Sequence, residues 1–296
     1  MHGTAIGVLH PGEMGAAVGA SLAGQGHPVL WASEDRGPAS AARAAGAGLM
    51  DTGTADSLAR QADMILSICP PHAALAVARS VAGFRGVYVD ANAVSPATAR
   101  EVGRAVTAGG ASFVDGGIIG QPPVPGEGSA GASSRLYLSG PEAARVAALF
   151  AGTPLAAVVI GGEPGRASAV KMAYAAWTKG TAALILAARA LASAEGVGDE
   201  LLREWEQSQP TLPARCESAA RSAAHKGWRW AGEMEEIAAS MAAAGLPAGF
   251  HRAAAEVFRR SPAEPEATGQ QPAAAATGER ALGTVIRALL ARQAAE

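Results

Sequence analysis

Residues 4–33, TAIGVLHPGEMGAAVGASLAGQGHPVLWAS, decide the fold. A short apolar run, Ala5–Leu9, passes into a turn carrying Gly12 and Gly15. An Ala-rich helical stretch follows, and an extended pattern resumes at Val29–Ala32. Strand, glycine turn, helix and strand form the first half of a mononucleotide-binding unit. Gly12 lets backbone approach a pyrophosphate, Gly15 lets helix and strand pack closely, and the helix N-terminus offers N–H donors and positive dipole. His10 stands where G-x-G-x-x-G has its first glycine, with Pro11 next to it. His10, Pro11, Gly12, Glu13 and Met14 are therefore expected at the cofactor phosphates. Read alone, the stretch also fits a Gly-rich turn in an ordinary α/β domain.

Further strands are expected at Met64–Ile68, Val87–Asp90, Ser112–Asp115, Leu136–Leu138 and Ala157–Ile160, separated by Ala-rich helical stretches. Such alternation predicts an α/β Rossmann domain, a doubly wound and mainly parallel sheet, over residues 1–162. Strand signals then stop. Residues 163–296 are expected to form an all-α domain, with one long helix from Gly165 to Glu195. Further helices are expected around Asp199–Gln207, Leu212–Lys226, Trp228–Ala244 and Gly249–Arg260. Ser261 to Glu279 mixes Pro, Glu, Gly, Gln and Ala without periodicity and reads as a flexible connector to a last helix.

The net charge is −2, with Lys and Arg dispersed, so no basic stripe points to nucleic acid or an anionic membrane. The most apolar later run, Ala182 to Ala194, is shorter than the about 20 residues of a membrane span and contains Arg189. Two cysteines, Cys69 and Cys216, give neither a disulfide framework nor metal-ligand spacing, which fits a reducing cytoplasm. The expected partner is a small-molecule substrate.

The tail of the second strand, WASEDR, falls where NAD and NADP are distinguished. An acidic side chain there binds the ribose diol, whereas a hydroxyl and an Arg suit a 2′-phosphate. Ser33 and Arg36 favour NADP over NAD, although Glu34 and Asp35 lie between them.

The loop, SICPPHAALAVA (67–78), VDANAVSPATA (89–99), FVDGGIIGQPP (113–123) and GRASAVKMAYAAWTKG (165–180) stand in the order found in one family. The chain resembles the β-hydroxyacid dehydrogenases, which include 3-hydroxyisobutyrate and 6-phosphogluconate dehydrogenases. Its run KGWRWAGEMEEIAASMAAAGLPAGFHRAAAEVFRR resembles a branch with a phosphogluconate-dehydrogenase-like C-terminal domain of unknown function. In that branch His-Pro in the first loop is ordinary.

The resemblance implies an oxidoreductase with Lys171 as its catalytic lysine, six residues after Gly165, and Cys69 and Pro70 beside the nicotinamide ribose. It also implies a substrate loop at Asp115–Gln121, where Gly116 and Gly117 fit a flexible or close-approach loop. Ile119 stands in place of a serine that helps hold a substrate carboxylate. Tyr174 and Ala175 replace the Asn residues that usually follow the lysine. A homodimer through the helical domain is implied, with Trp228 able to reach a neighbouring subunit's site.

Hydride transfer to or from a nicotinamide needs a group that moves the hydroxyl proton. Lys171 can donate it as an ammonium or take it as an amine. Helical spacing places Tyr174 and Thr178 on the same face, as candidates for substrate contact. Asn92 and Ser95 follow the strand Val87–Asp90 at the ligand-binding edge, and read equally as cofactor contacts or as a local turn device before Pro96. In the helical half, Trp230, Met234, Ile237 and Met241 read as core. Glu233 and Glu236 read as solvent or interface, and His225 and His251 as helix surface.

The expected function is NADP-dependent hydride transfer on a β-hydroxy acid or related 3-hydroxy compound, aryl and 2-amino-3-hydroxy compounds included. The alternatives are an NADPH-dependent imine reductase and a non-catalytic nicotinamide-binding protein.

Overall fold

The computed structural model describes residues 3–124, 134–262 and 278–291. The chain divides into two compact units, Met1–Met172 and Ala173–Glu296.

In the first unit one eight-stranded sheet has the order β3-β2-β1-β4-β5-β6-β7-β8. Its strands are β1 (Ile6–Leu9), β2 (Val29–Trp31), β3 (Met50–Asp51), β4 (Met64–Ser67), β5 (Val87–Asp90), β6 (Ser112–Ile119), β7 (Ser134–Ser139) and β8 (Leu155–Val159). The first six run parallel; β7 is antiparallel to β6 and β8 is parallel to β7. The helices α1 (Glu13–Ala23), α2 (Pro38–Gly46), α3 (Ala55–Gln61), α4 (Ala74–Ser80), α5 (Pro96–Thr107) and α6 (Ala143–Ala148) connect them.

Alternate strand residues feed two cores. Ile6, Val8, Met64, Leu66, Val89 and Val114 pack in one, and Leu9, Ile65, Tyr88 and Phe113 in the other. A sheet buried on both faces is what parallel strands with helical crossovers require.

Two strand expectations are corrected. β3 was not anticipated, because two exposed residues carry no periodic signal. β6 runs on to Ile119, so Gly116 and Gly117 are strand residues paired with Leu138 and Tyr137 rather than a flexible loop. A Cβ at Gly116 would stand 3.0 Å from the Asp90 carbonyl oxygen, so this glycine serves close strand packing.

The second unit is helical: α7 (Arg166–Ala194) enters it from the first and is followed by α8 (Gly198–Ser208), α9 (Leu212–Ala243), α10 (Gly249–Arg260) and α11 (Gly278–Leu290). The two helices expected on either side of Gly227 are one. Gly227 is a contact and not a break: a Cβ there would lie 3.2 Å from the Phe258 carbonyl oxygen on α10. Of the connector expected at 261–279, residues 263–277 lie outside the described residues, and Gly278 and Glu279 begin α11. Among the described residues no helix is long and apolar enough to cross a membrane.

Met234 and Ile237 are buried as expected. Glu233 and His251 are not on the surface, however, being only 1% and 6% exposed. Glu233 accepts from Lys179 on α7 and pairs with Arg229 at 3.3 Å, while Lys179 lies 5.7 Å from the Trp230 ring centre. His251 packs edge-on to Phe250, with centroids 5.0 Å apart. Periodicity along α9 could not disclose a partner on another helix. Removing one member of a buried ion pair leaves the other desolvated and uncompensated. Glu233→Ala is therefore expected to cost about 3 kcal/mol, read as a lower midpoint in chemical denaturation followed by circular dichroism.

Candidate active site

The sheet order reverses direction between β1 and β4: the chain leaves β1 to one side through β2 and β3, then returns to build β4 on the other. Ligands in such sheets bind beyond the carboxyl ends of the strands at this point. The β1–α1 loop and the Ile68–Pro70 turn flank it.

His10 has φ +71°, the left-handed conformation that a glycine would take without strain. The Gly12 N–H then donates to the His10 carbonyl at 2.8 Å. A Cβ at Gly15 would lie 2.4 Å from that same carbonyl oxygen, so Gly15 is required by helix–loop packing. A Cβ at Gly12 would meet nothing within 4 Å, and no side chain caps the N-terminus of α1. The open side of the loop thus leaves a clear approach to a helix start, a setting that fits a dinucleotide pyrophosphate.

Burial, and secondarily the Arg36 charge, lower the His10 pKa to about 4, against the smaller opposing effect of the Leu9 carbonyl. In the turn after β2 the Arg36 N–H donates to the Ser33 carbonyl at 3.0 Å. Ser33 N–H and Gly53 N–H donate to Asp51 at 3.2 and 2.8 Å, which holds the Asp51 carboxyl below its usual range. Arg43 on α2, which sequence reasoning missed, donates from Nε to the Pro11 carbonyl at 3.1 Å. Its only sequence signal is an Arg late in a short amphipathic helix.

At the second loop Asn92 spends its amide on the protein. Its Oδ1 accepts the Cys69 N–H at 2.6 Å, and its Nδ2 donates to Ser67 Oγ at 3.1 Å and to Asp90. Ser67, Tyr88, Asp90 and Asn92 are all at most 2% exposed. Asn92 therefore latches the Cys69–Pro70 turn to β5. Ser95 accepts the Thr98 N–H at 3.2 Å and caps α5, which is the turn-device reading.

Asp115 fixes the third element. Its fully buried carboxylate accepts Gly165 N–H at 2.8 Å, Ser168 N–H at 3.1 Å, Ser168 O–H at 2.5 Å and Ser139 O–H at 3.0 Å. A carboxylate seated on the first N–H groups of α7 satisfies orphan donors and complements the helix dipole. Gly165 (φ +107°) supplies the left-handed entry into the helix. α7 then lies so close to β6 that a Cβ at Gly117 would stand 2.8 Å from the Ala167 carbonyl oxygen and 3.0 Å from Lys171 Cβ.

Asp90 ends β5 in register with Asp115, and β6 continues to Ile119. Ile118, three residues further, stands about 10 Å beyond that register at the carboxyl edge. Its carbonyl accepts Lys171 Nζ at 2.7 Å. Ile119 is buried, at 3% exposed. Tyr174 and Thr178 follow Lys171 on α7; Tyr174 is half-exposed, and the Thr178 hydroxyl donates to the Tyr174 carbonyl at 3.2 Å.

A Rossmann sheet with a phosphate-type loop, followed by a helical unit, defines a dinucleotide-binding fold. Residues 5–147 match the NAD binding domain of 6-phosphogluconate dehydrogenase, and residues 192–261 match a domain of unknown function, DUF1932. The chain thus joins an NAD binding domain of the 6-phosphogluconate dehydrogenase type to a DUF1932 domain.

An uncharacterised 28.5 kDa protein of Methanothermus fervidus is 32% identical over 154 residues, 51% of this chain and 57% of that protein. The match thus spans little more than half the length of that relative. A conserved hypothetical protein of Sinorhizobium meliloti is 27% identical, with TM-score 0.63 and 96% of each chain covered. Two further structures share the fold. Mycobacterium tuberculosis 3-hydroxyisobutyrate dehydrogenase with L-serine is 20% identical, with TM-score 0.66, covering 98% of this chain and 100% of that one. A reductive aminase from Aspergillus terreus with NADPH and ethyl levulinate is 20% identical, with TM-score 0.55, covering 87% and 93%.

Two outcomes follow from this geometry. Asp115→Asn removes a charged acceptor of four hydrogen bonds and is expected to cost about 3 kcal/mol of unfolding free energy, measured by urea titration. His10, with its pKa lowered from 6.5 to about 4, is neutral in the folded protein and protonates more readily when unfolded. Its contribution is therefore complete above about pH 6.5 and is lost as pH falls toward about 4. His10→Gly should flatten that acid-side loss and, by relieving the left-handed strain, add about 1 kcal/mol near neutral pH, read from melting curves across the window.

Proposed function

We propose that this protein is an oxidoreductase acting on CH–OH groups, transferring a hydride between NADP and a β-hydroxy acid or related 3-hydroxy compound, with Lys171 as general acid and base. The observation that carries the reading is the placement of Lys171. Its amine is held on the Ile118 carbonyl at 2.7 Å, at the carboxyl edge of the sheet that carries the phosphate-type loop. A nicotinamide held at this edge would supply or accept the hydride. Lys171 takes the hydroxyl proton as the alcohol is oxidised, or gives a proton to the carbonyl oxygen as it is reduced. The Ile118 carbonyl accepts one of its hydrogens and orients the nitrogen.

The NADP preference is supported by Ser33 and Arg36 after β2, and is in keeping with the NADPH bound in the Aspergillus terreus enzyme. The substrate class is supported by the Mycobacterium tuberculosis dehydrogenase, whose bound L-serine is a 2-amino-3-hydroxy acid. Gly116 and Gly117 beside Lys171, buried Ile119, and Tyr174 and Thr178 are the residues proposed to shape its selectivity. A second reading, imine reduction, is favoured by the shared fold of the reductive aminase, while Lys171 speaks for the alcohol reaction.

A homodimer through the helical unit is part of the proposal. Trp177, Leu184 and Leu191 repeat every seven residues along α7 and are 70%, 55% and 64% exposed, an apolar stripe suited to a second copy. A cytoplasmic location accords with two buried cysteines that form no disulfide.

The test is steady-state NADP reduction across aliphatic, aryl and 2-amino 3-hydroxy acids, with imines assayed under NADPH. Oxidation of one hydroxy class that falls about 100-fold or more in Lys171→Ala, with cofactor affinity unchanged, is expected. Turnover of imines alone, or activity indifferent to the substitution, would replace the lysine mechanism with the second reading. Cofactor binding without any turnover would leave a nicotinamide-binding protein.

A further inference from the structure

Alternation along β6 and β7 sorts their side chains onto two faces. Asp115, Gly117 and Ile119 share one face of β6: the Asp115 carboxylate bonds the start of α7, and a Cβ at Gly117 would stand 3.0 Å from Lys171 Cβ. Their partners on β7 are Ser139, Tyr137 and Arg135, and directly opposed residues of an antiparallel pair lie on the same face. Ser139 agrees with this, since it donates to Asp115 and accepts the Ala167 N–H of α7 at 3.2 Å. The alternate residues Ile118, Leu136 and Leu138 pack together in the core on the other side. Arg135 therefore stands on the Lys171 face, opposite Ile119.

Its height along the sheet brings it level with the lysine. Ile119 ends β6, so Arg135 is at the carboxyl edge, where Lys171 Nζ meets the Ile118 carbonyl. One strand spacing across, about 4.8 Å, and one residue along, about 3.4 Å, separate the Ile118 backbone from that of Arg135. Arg135 is exposed, and among the described residues no carboxylate pairs with its guanidinium. Asp115, the carboxylate on this face, already accepts four hydrogen bonds from α7 and β7. Ile119 is buried, and its side chain offers no donor.

We infer that Arg135 binds the carboxylate of the substrate, so that Lys171 acts on a hydroxyl of the same molecule and the protein selects hydroxy acids over neutral alcohols. This rests on the reading of Lys171 as the group that moves the proton. A guanidinium holds a carboxylate through two parallel N–H bonds, which fixes the orientation of the acid as well as its distance. An ammonium already shared with a backbone carbonyl fixes neither. A 3-hydroxy acid carries its hydroxyl-bearing carbon two bonds from the carboxyl carbon, which suits an anchor one strand away from the lysine. Placement on a paired strand, held by β6 on one side and β8 on the other, gives that anchor a fixed base.

Steady-state NADP reduction by the full-length chain tests this with 3-hydroxybutyrate, 3-hydroxy-3-phenylpropionate and L-serine, and with the methyl ester of each. Wild type, Arg135→Ala and Arg135→Lys are compared. The acid that wild type oxidises is expected to be used about tenfold better than its ester, judged by kcat/KM, through one charged pair. Arg135→Ala should raise KM for that acid about 10- to 100-fold more than for the ester, with little change in kcat, as loss of ground-state binding requires. Arg135→Lys should recover part of the loss, and an unchanged melting temperature would show that the variants are folded. An ester used as well as its acid by wild type, or a KM that Arg135→Ala leaves alone or raises alike for both, would overturn the role given to Arg135 and leave the Lys171 reading standing. Oxidation of none of the six compounds by wild type would overturn the Lys171 reading itself, and this inference with it.

Discussion

The buried carboxylate of Asp115 is the contact on which the site depends. It sits at the point where β6 and the start of α7 meet, and its four hydrogen bonds are shared between backbone donors of the helix and serine hydroxyls of the helix and β7. Burying a carboxylate is costly unless nearly every lone pair is used. Here the donors are orphan N–H groups that needed an acceptor themselves. One interaction thus cancels two desolvation costs and sets the axial position of α7, and with it the height at which Lys171 meets the Ile118 carbonyl.

Glycines set the remaining separations. Gly117 lets the Lys171 turn of α7 come down on β6, Gly116 lets β6 pass the Asp90 carbonyl, and Gly15 lets α1 close on the His10 carbonyl. Gly12 differs from these, because the protein places nothing against it. Three glycines are thus explained by contacts within the chain, while Gly12 leaves the start of α1 open. The Asn92 latch does for the Cys69–Pro70 turn what Asp115 does for α7. A fully buried amide exchanges hydrogen bonds with backbone, serine and aspartate, which fixes a loop that carries no regular structure of its own.

Much of this was legible in advance. Strand–turn–helix alternation announced the doubly wound sheet, and the ordered motifs with Lys171 six residues after Gly165 announced the family. Less legible was anything carried by a contact distant in sequence. Gly116 and Gly117 read as loop because glycine is a loop signal, while their strand state comes from pairing with β7 and from α7 above them. Glu233 read as exposed because its partner Lys179 lies 54 residues away on another helix. Arg43 drew no notice, since its target is the carbonyl of Pro11, 32 residues earlier.

The sequence by itself determined the alternation of elements, the glycine positions of the phosphate-type loop and the identity of the lysine. Local periodicity and conformational preference are written residue by residue. Only the tertiary structure decided that Arg43 anchors the Pro11 carbonyl, that Asn92 is a latch, and that Asp115 seats the helix bearing Lys171. Each of these is a bond between residues far apart in the chain, and its strength comes from the burial that folding creates.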